Sequence, residues 1–362
     1  MQPIAADTPA AWTAAELEAD RARWVFTLDD RARRDLVEAV RRVGRDPERD
    51  LLDYRREEFD LGAAAAPIAA AFREIRDGRG IALVRGLPRE GITPEEFELM
   101  TWAIGLHHGV ARPQGKASHY ISKVQDAGTV YRSPTGRGYS SNAELDFHTD
   151  GADVVVLACY NRARSGGMSM ISSSVTARNL MAAERPELCA LLHQPFWFSR
   201  QAEQAPDETP AYPNPIYDTE EGLLFSRWNR NRVTSAQRIE GVPPLTPAQH
   251  EAIDLLDEIL RRDAVMYRMW LEPGDMQLLN SHVTLHSRTE FQDFEEPERK
   301  RLLYRLWLAP PDSRRLPESW RNAYRAIEPG TVRGGIRGQN HDEHRRAFER
   351  RQAAALGMTC AG

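Results

Sequence analysis

Apolar positions along this chain follow two periods, and the switches between them mark the elements. In "DDRARRDLVEAVRRVGRD", Leu36, Val37, Val40 and Val43 return at helical spacing, and Gly44 supplies a stop. "GAAAAPIAAAFREIRDGRG" reads as a helix running to a turn, and "IALVRGLP" as a buried strand. "ITPEEFELMTWAIG" opens with Thr93, Pro94 and Glu96, a capping hydroxyl, a first-turn proline and a carboxylate three residues on, which predicts a helix start. From about 107 to 147 the periodicity lapses among Gly115, Gly128, Pro134, Gly136 and Gly138. A long irregular segment in a compact protein is usually a binding loop or lid. Beyond it, "DVVVLACY", "GMSMISSS", "EGLLFSRWN", "MYRMWLEPGDMQLLN" and "RKRLLYRLWLA" are β-branched or apolar runs punctuated by Gly and Pro, and read as strands. Helices are predicted between them at "SVTARNLMAAERPELCALLHQ" and "TPAQHEAIDLLDEILRRD".

The sum is a mainly β, α+β chain with flanking helices. Strands and helices do not alternate as βαβ units, so no dinucleotide-binding sheet is expected. Residues 1–50 read as a helical extension packed on the core. Residues 51–362 read as one β domain with a loop insertion at about 107–147. Its polar, Arg-rich tail from about 313 is expected as irregular or helical surface structure. Composition fits a soluble globular protein, 41% hydrophobic and 28% charged over 362 residues. A net charge of −5 without long runs of either sign leaves no footprint for nucleic acid. No window approaches the ~18 apolar residues of a membrane span, and the N-terminus shows no signal peptide pattern. Cys159, Cys189 and Cys360 are odd in number and scattered, so no disulfide framework is readable and the cytoplasm is the expected location. Whether the chain forms a homo-oligomer is left open.

Candidate chemistry enters at "ELDFHTDGADVVVLACYNRARSGGMSM". His148 and Asp150 are two apart, so in a strand both side chains aim at one side. An imidazole and a carboxylate are two parts of the two-His-one-carboxylate triad of non-haem Fe(II) sites. In a chain with ten histidines the pair alone is a weak signal. The stretch "EPGDMQLLNSHVTLHSRTEFQDFEEPERKRLLYRLWLAPP" adds a Pro273-Gly274-Asp275 turn and then strands. His282 and His286 lie four apart and share a face in either helix or strand, so spacing does not choose between them. Arg301 and Arg305 share a face with Leu303 and Trp307. Inward arginines on an apolar strand require anions, and a bound dicarboxylate would supply one.

Taken in order, "FHTD", "SGGMS", "LLNSHVTLHSR" and "KRLLYRLWL" resemble the taurine-dioxygenase-like (clavaminate-synthase-like) branch of the Fe(II)/2-oxoglutarate dioxygenases, over about residues 80–312. The resemblance implies a double-stranded β-helix core, the cupin-like jelly roll. It implies His148, Asp150 and His286 as iron ligands and leaves His282 outside the set. Arg301 matches the arginine on the distal carboxylate of 2-oxoglutarate. Ser169 stands where the family usually has a threonine on that same carboxylate, a departure that keeps the hydroxyl. Arg305 matches a position that in some members meets an anionic group of the substrate. The implied reaction uses Fe(II), 2-oxoglutarate and O2, converts 2-oxoglutarate to succinate and CO2, and hydroxylates an unactivated C–H of a small, anionic or amino-acid-like molecule.

Three alternatives remain beside hydroxylation, one of them a catalytically dead scaffold that binds no iron tightly. The same iron site could drive desaturation, epimerisation or cyclisation, or a cupin-like protein could bind metal or hydrolyse without 2-oxoglutarate; the second has no need of Arg301. On the substrate side, Tyr139 and Asn142 lead into the metal strand, and Arg288 shares the face of His286 as a substrate contact or a brace. His341, Glu343 and His344 are expected on a solvated helix. His107 and His108 read as a helix cap or packing, with a substrate contact as the alternative, and Trp228 and Arg230 as surface packing, with the pocket mouth as the alternative.

Overall fold

Alternation along two long strands fixes the architecture. In Val154–Asn161, Val154, Val156, Ala158 and Tyr160 pack in one hydrophobic cluster, and Val155 and Cys159 in another. Leu302–Ala309 does the same, with Tyr304, Leu306 and Leu308 on the first side and Leu303 and Trp307 on the second. Such a strand is buried on both faces and belongs in the middle of a sheet. The computed structural model, which describes residues 8–129, 131 and 138–360, puts both there. Its main sheet runs Val25–Thr27, Ile81–Arg85, Met276–Asn280, Val154–Asn161, Leu302–Ala309 and Val110–Ala111, with Ile121–Val124 also paired to Leu302–Ala309. A smaller sheet orders Met266–Met269, Ser169–Ser173 and Thr284–Arg288. The two sheets enclose Ile81, Val155, Ile171, Leu279 and Trp307, which is the double-stranded β-helix.

Helices cover both outer faces. Asp30–Val43, Ala65–Asp77 and Pro94–His108 pack on the main sheet. The first is capped by Asp29 and ends at Gly44 with φ 76°, and the last begins with the Thr93/Glu96 capping box. Ser174–Glu184, Pro186–Leu192 and Pro247–Leu260 pack behind the smaller sheet. Pro186 splits the first of these from the second, where the sequence reads as one run, because a proline ring cannot continue the preceding turn.

The ends are less peripheral than the sequence reading has them. Val25–Thr27 extends the main sheet, paired in parallel with Ile81–Arg85, and Trp12, Leu17 and Trp24 are buried against the inter-sheet cluster. After residue 313, Leu316, Trp320, Tyr324 and Ile327 enter the core behind the smaller sheet. The helix Glu343–Ala355 buries Phe348 and Ala353 on the other side. A polar, Arg-rich composition hid these few large apolar anchors.

Candidate metal centre and its cavity

His148 lies at the mouth between the sheets, just before the main-sheet strand. Its backbone N–H and C=O exchange hydrogen bonds with those of His286, both 3.0 Å, so two distant parts of the chain present their imidazoles together. The ring centroids are 4.4 Å apart. His148 Nδ1 lies 2.9 Å from the Asp146 carbonyl, which directs Nε2 inward. Asp150 is buried, with Oδ1 3.9 Å from His148 Nε2 and Oδ2 3.8 Å from His286 Nε2. One ligand atom from each of the three lies within 4.8 Å of the others, and among the described residues no other such group of three occurs.

The surroundings hold His286 and Asp150 in their ligand forms. Burial, and then the neighbouring His148, push the His286 imidazolium down to about 3, so the ring is neutral. Burial opposes ionisation of Asp150, but Arg305 first, then both histidines and Trp307, hold its carboxyl below the usual range. Trp307 donates its indole N–H to Oδ2 at 2.9 Å, and Arg305 Nη1 stands 3.4 Å from the same oxygen. Arg305 Nε donates to Gln114 Oε1 at 2.8 Å. Two imidazoles and one carboxylate converging from one side fit a hard-to-borderline divalent metal with open positions toward the cavity.

The cavity that these three residues line is also walled by Leu157, Ser169, Leu271 and Leu303. Arg301 and Arg288 stand there, 6% and 5% exposed. Arg301 Nη1 donates to the Val124 carbonyl at 3.4 Å, and burial pushes the group down to about 10. Arg288 donates Nη2 to the carbonyls of Ser141 (2.9 Å) and Ala143 (2.5 Å), while its Nη1 has no partner among the described residues. Burial, with Arg301 next to it, pushes Arg288 down to about 9. Both guanidiniums lie on the ring of Phe291, at 4.6 Å and 5.0 Å. Ser169 Oγ accepts from Gln277 Nε2 at 3.1 Å. Among the described residues neither guanidinium is ion-paired to a carboxylate, and two buried cations so placed make an anion site.

Tyr139 also lines the cavity, its ring 5.1 Å from the Arg305 guanidinium. Asn142 stands apart from this group. Its side chain is exposed, and its carbonyl accepts the Phe291 N–H at 3.0 Å, so it anchors the loop instead of facing the cavity. His282 turns away from the trio to Asp153, 2.8 Å from Nε2, and Asp153 is held by Arg333. His107 meets the Phe59 carbonyl and His108 stacks on Phe72. His341 and His344 pair separately with Glu349 and Asp53. Trp228 is fully buried and lines the cavity, contrary to the surface expectation, while Arg230 pairs outside it with Asp254 and Asp257. Sequence reading missed Gln114, Gln277 and the hairpin Pro195–Ser199/Ala211–Pro215, whose residues carry no motif.

Residues 47–307 match the family described as taurine catabolism dioxygenase TauD, TfdA family. The chain belongs to this family. FR-33289 synthase of Streptomyces rubellomurinus is 32% identical over 287 residues, 79% of this chain and 84% of that protein. The taurine hydroxylase-like protein SAT17 of Stachybotrys chartarum is 25% identical over 254 residues, 65% of this chain and 62% of that one. An asparagine oxygenase solved with Fe(II), 3-hydroxyasparagine and succinate shares the fold, with TM-score 0.60 and 20% identity over 79% of this chain and 94% of that one. The oxygenase OrfP, solved with Fe and α-ketoglutaric acid, superposes with TM-score 0.56 and 16% identity over 79% and 94%. This dioxygenase is thus an Fe(II)- and 2-oxoglutarate-dependent oxygenase that uses O2. No helix among its described residues is long and apolar enough to cross a membrane.

Proposed function

We propose that His148, Asp150 and His286 hold the Fe(II) of this oxygenase and that Arg301 holds the distal carboxylate of 2-oxoglutarate. The reaction hydroxylates a small anionic or amino-acid-like molecule. The observation that carries this reading is the pair of buried guanidiniums, Arg301 and Arg288, which line the same cavity as the ligand trio with no carboxylate ion pair among the described residues. A metal-binding or hydrolytic cupin has no use for them. When bound, iron, 2-oxoglutarate and O2 would supply the oxidation, one oxygen atom of O2 entering the substrate C–H and the other the succinate formed with CO2 from 2-oxoglutarate. The chain's own residues bind, orient and exclude water. Arg301 forks onto the co-substrate, and the Ser169 hydroxyl lies where it can add a second donor. Leu157, Leu271 and Leu303 keep that end dry. Arg305 and Trp307 keep Asp150 ionised and aimed. Arg288 braces residues 141–143 and adds positive charge to the anion site. Tyr139 lies over Arg305 on the substrate side.

The small polar molecules in complex with the related oxygenases, 3-hydroxyasparagine and hydroxyarginine, support a substrate of that size. Three cysteines that are all free support a reducing, cytoplasmic setting. Succinate release, assayed with Fe(II) against a panel of small acids and amino acids, tests the reading. Succinate should require 2-oxoglutarate, the product should gain one oxygen in mass, and Arg301→Ala should raise the 2-oxoglutarate needed by on the order of 10- to 100-fold. Turnover indifferent to 2-oxoglutarate overturns it, and a loss of two hydrogens replaces hydroxylation with desaturation or cyclisation.

A further inference from the structure

We infer that the outer end of the cavity, where Arg200, Arg227 and Arg232 gather around Tyr212, is the subsite for an oxyanion head group of the substrate, a role that Arg305 does not fill. The inference rests on the iron and 2-oxoglutarate reading above. It names a second anionic pole in the same cavity.

Arg227 is 9% exposed. Its Nε and Nη2 both turn to the Tyr212 hydroxyl, the former at 3.1 Å. The rings of Phe198 and Tyr324 lie 5.7 Å away, and no carboxylate among the described residues is in ion-pair reach. Arg200 lies over the Tyr212 ring at 4.4 Å, and Arg232 donates Nη1 to the Ser199 carbonyl at 3.0 Å. The carboxylates at hand are Glu203, 3.5 Å from Arg232, and Glu208, 3.5 Å from Arg200 and also paired with Arg325. Among the described residues, Arg200, Arg227, Arg232 and Arg325 thus gather around these two carboxylates. The positive field shows in its neighbours. Burial, together with Arg227 and Arg232, holds Arg200 below its ordinary value. Burial would raise the Tyr212 phenol, yet Arg227, Arg232 and Arg200 hold it below its ordinary value.

Like charges crowded at low dielectric are unfavourable unless an anion joins them. Guanidinium forks suit carboxylate, sulfonate or phosphonate oxygens. The three arginines come from one end of the hairpin and from the helix Arg230–Ala236 with the segment before it, so they are held by regular elements. That same segment carries Trp228 and Asn229, which bond to the metal-ligand stretch through Thr149 and His148. Arg305, the arginine that resemblance offers for a substrate anion, has Nε on Gln114 and Nη1 facing Asp150, so its charge serves the ligand carboxylate. The substrate is then a small acid whose head group sits among Arg200, Arg227 and Arg232 and whose reacting carbon reaches back to the metal.

Calorimetric titration of the anaerobic protein, loaded with Fe(II) and saturated with 2-oxoglutarate so that the inner anion site is filled, tests this with inorganic phosphate, sulfate and acetate. At least one of the three should bind. In Arg232→Gln that affinity should fall by on the order of 10- to 100-fold, while the visible charge-transfer absorption of the Fe(II)–2-oxoglutarate complex persists. Preference for phosphate or sulfate assigns a tetrahedral head group, and preference for acetate a carboxylate. Arg227→Gln should behave alike if it folds; because Arg227 is buried, Arg232→Gln carries the decision. No binding by the parent protein, or unchanged affinity in a folded Arg232→Gln, overturns the inference. Absence of the charge-transfer absorption from the parent protein would instead overturn the iron and 2-oxoglutarate reading beneath it.

Discussion

Asp150 has three kinds of neighbour at once, two imidazoles, a guanidinium and an indole N–H, and each has a separable consequence. The indole bond from Trp307 fixes which carboxylate oxygen faces His286. Partners of this kind orient a ligand and typically change metal affinity 10- to 100-fold when removed. Trp307→Phe keeps the ring and removes the donor, so Fe(II) affinity measured by anaerobic titration should drop within that range. 2-Oxoglutarate affinity at saturating iron should move far less. His148, Asp150 and His286 were legible because their types and order survive in short motifs. Gln114 was not, since a buried amide that bridges Arg305 and the Tyr120 carbonyl has no local pattern.

At the scale of elements, the Gly166–Gly167 pair shows what a motif can do besides chemistry. Gly166 and Gly167 have φ of 69° and 77°, a region that favours glycine. A Cβ on Gly167 would stand 3.2 Å from Arg301 Nε, and one on Gly166 would stand 2.1 Å from the Glu290 carbonyl oxygen. The pair thus lets the strand Ser169–Ser173 begin beside the guanidinium. Gly167→Ala should weaken 2-oxoglutarate binding several-fold, measured by the same titration, with iron affinity retained. Another element-scale consequence lies at the end of Pro94–His108. A helix C-terminus favours a charged imidazole, but burial wins and pushes His108 down to about 3 from an ordinary 6.5. A depressed histidine stabilises the fold fully above 6.5, and that contribution is lost as pH falls toward 3. Urea midpoints of the metal-free protein should therefore fall between pH 7 and pH 4, and less so in His108→Phe, which keeps the stack on Phe72.

For the whole molecule, the two ends of the chain close the barrel. Glu349 in the C-terminal helix lies 2.7 Å from Arg112 and accepts the Tyr120 hydroxyl at 2.6 Å, all three buried. Tyr120 precedes the strand Ile121–Val124, whose last carbonyl meets Arg301. Removing one partner of a buried pair costs about 3–5 kcal/mol. Glu349→Ala should therefore lower the denaturant midpoint markedly. A chain ending at residue 340 should lose more, since Phe348 also leaves its packing against Trp102 and Tyr120.

Local signals in the sequence determined the strands, most helices, the capping at Thr93 and the order of the motifs around His148, Ser169, His286 and Arg301. Period and residue type are written within a few neighbouring positions, and a resemblance in order can be read from them. Tertiary structure alone decided that His282 turns to Asp153, that Asn142 faces solvent, and that Arg305 faces Asp150. It also decided that residues after 313 enter the core. Each of these depends on a partner 100 or more residues away in the chain, such as Asp153 for His282 and Arg112 for Glu349. No periodicity encodes such pairs. "FHTD" marks where a metal site begins, but the walls that surround it are set by packing.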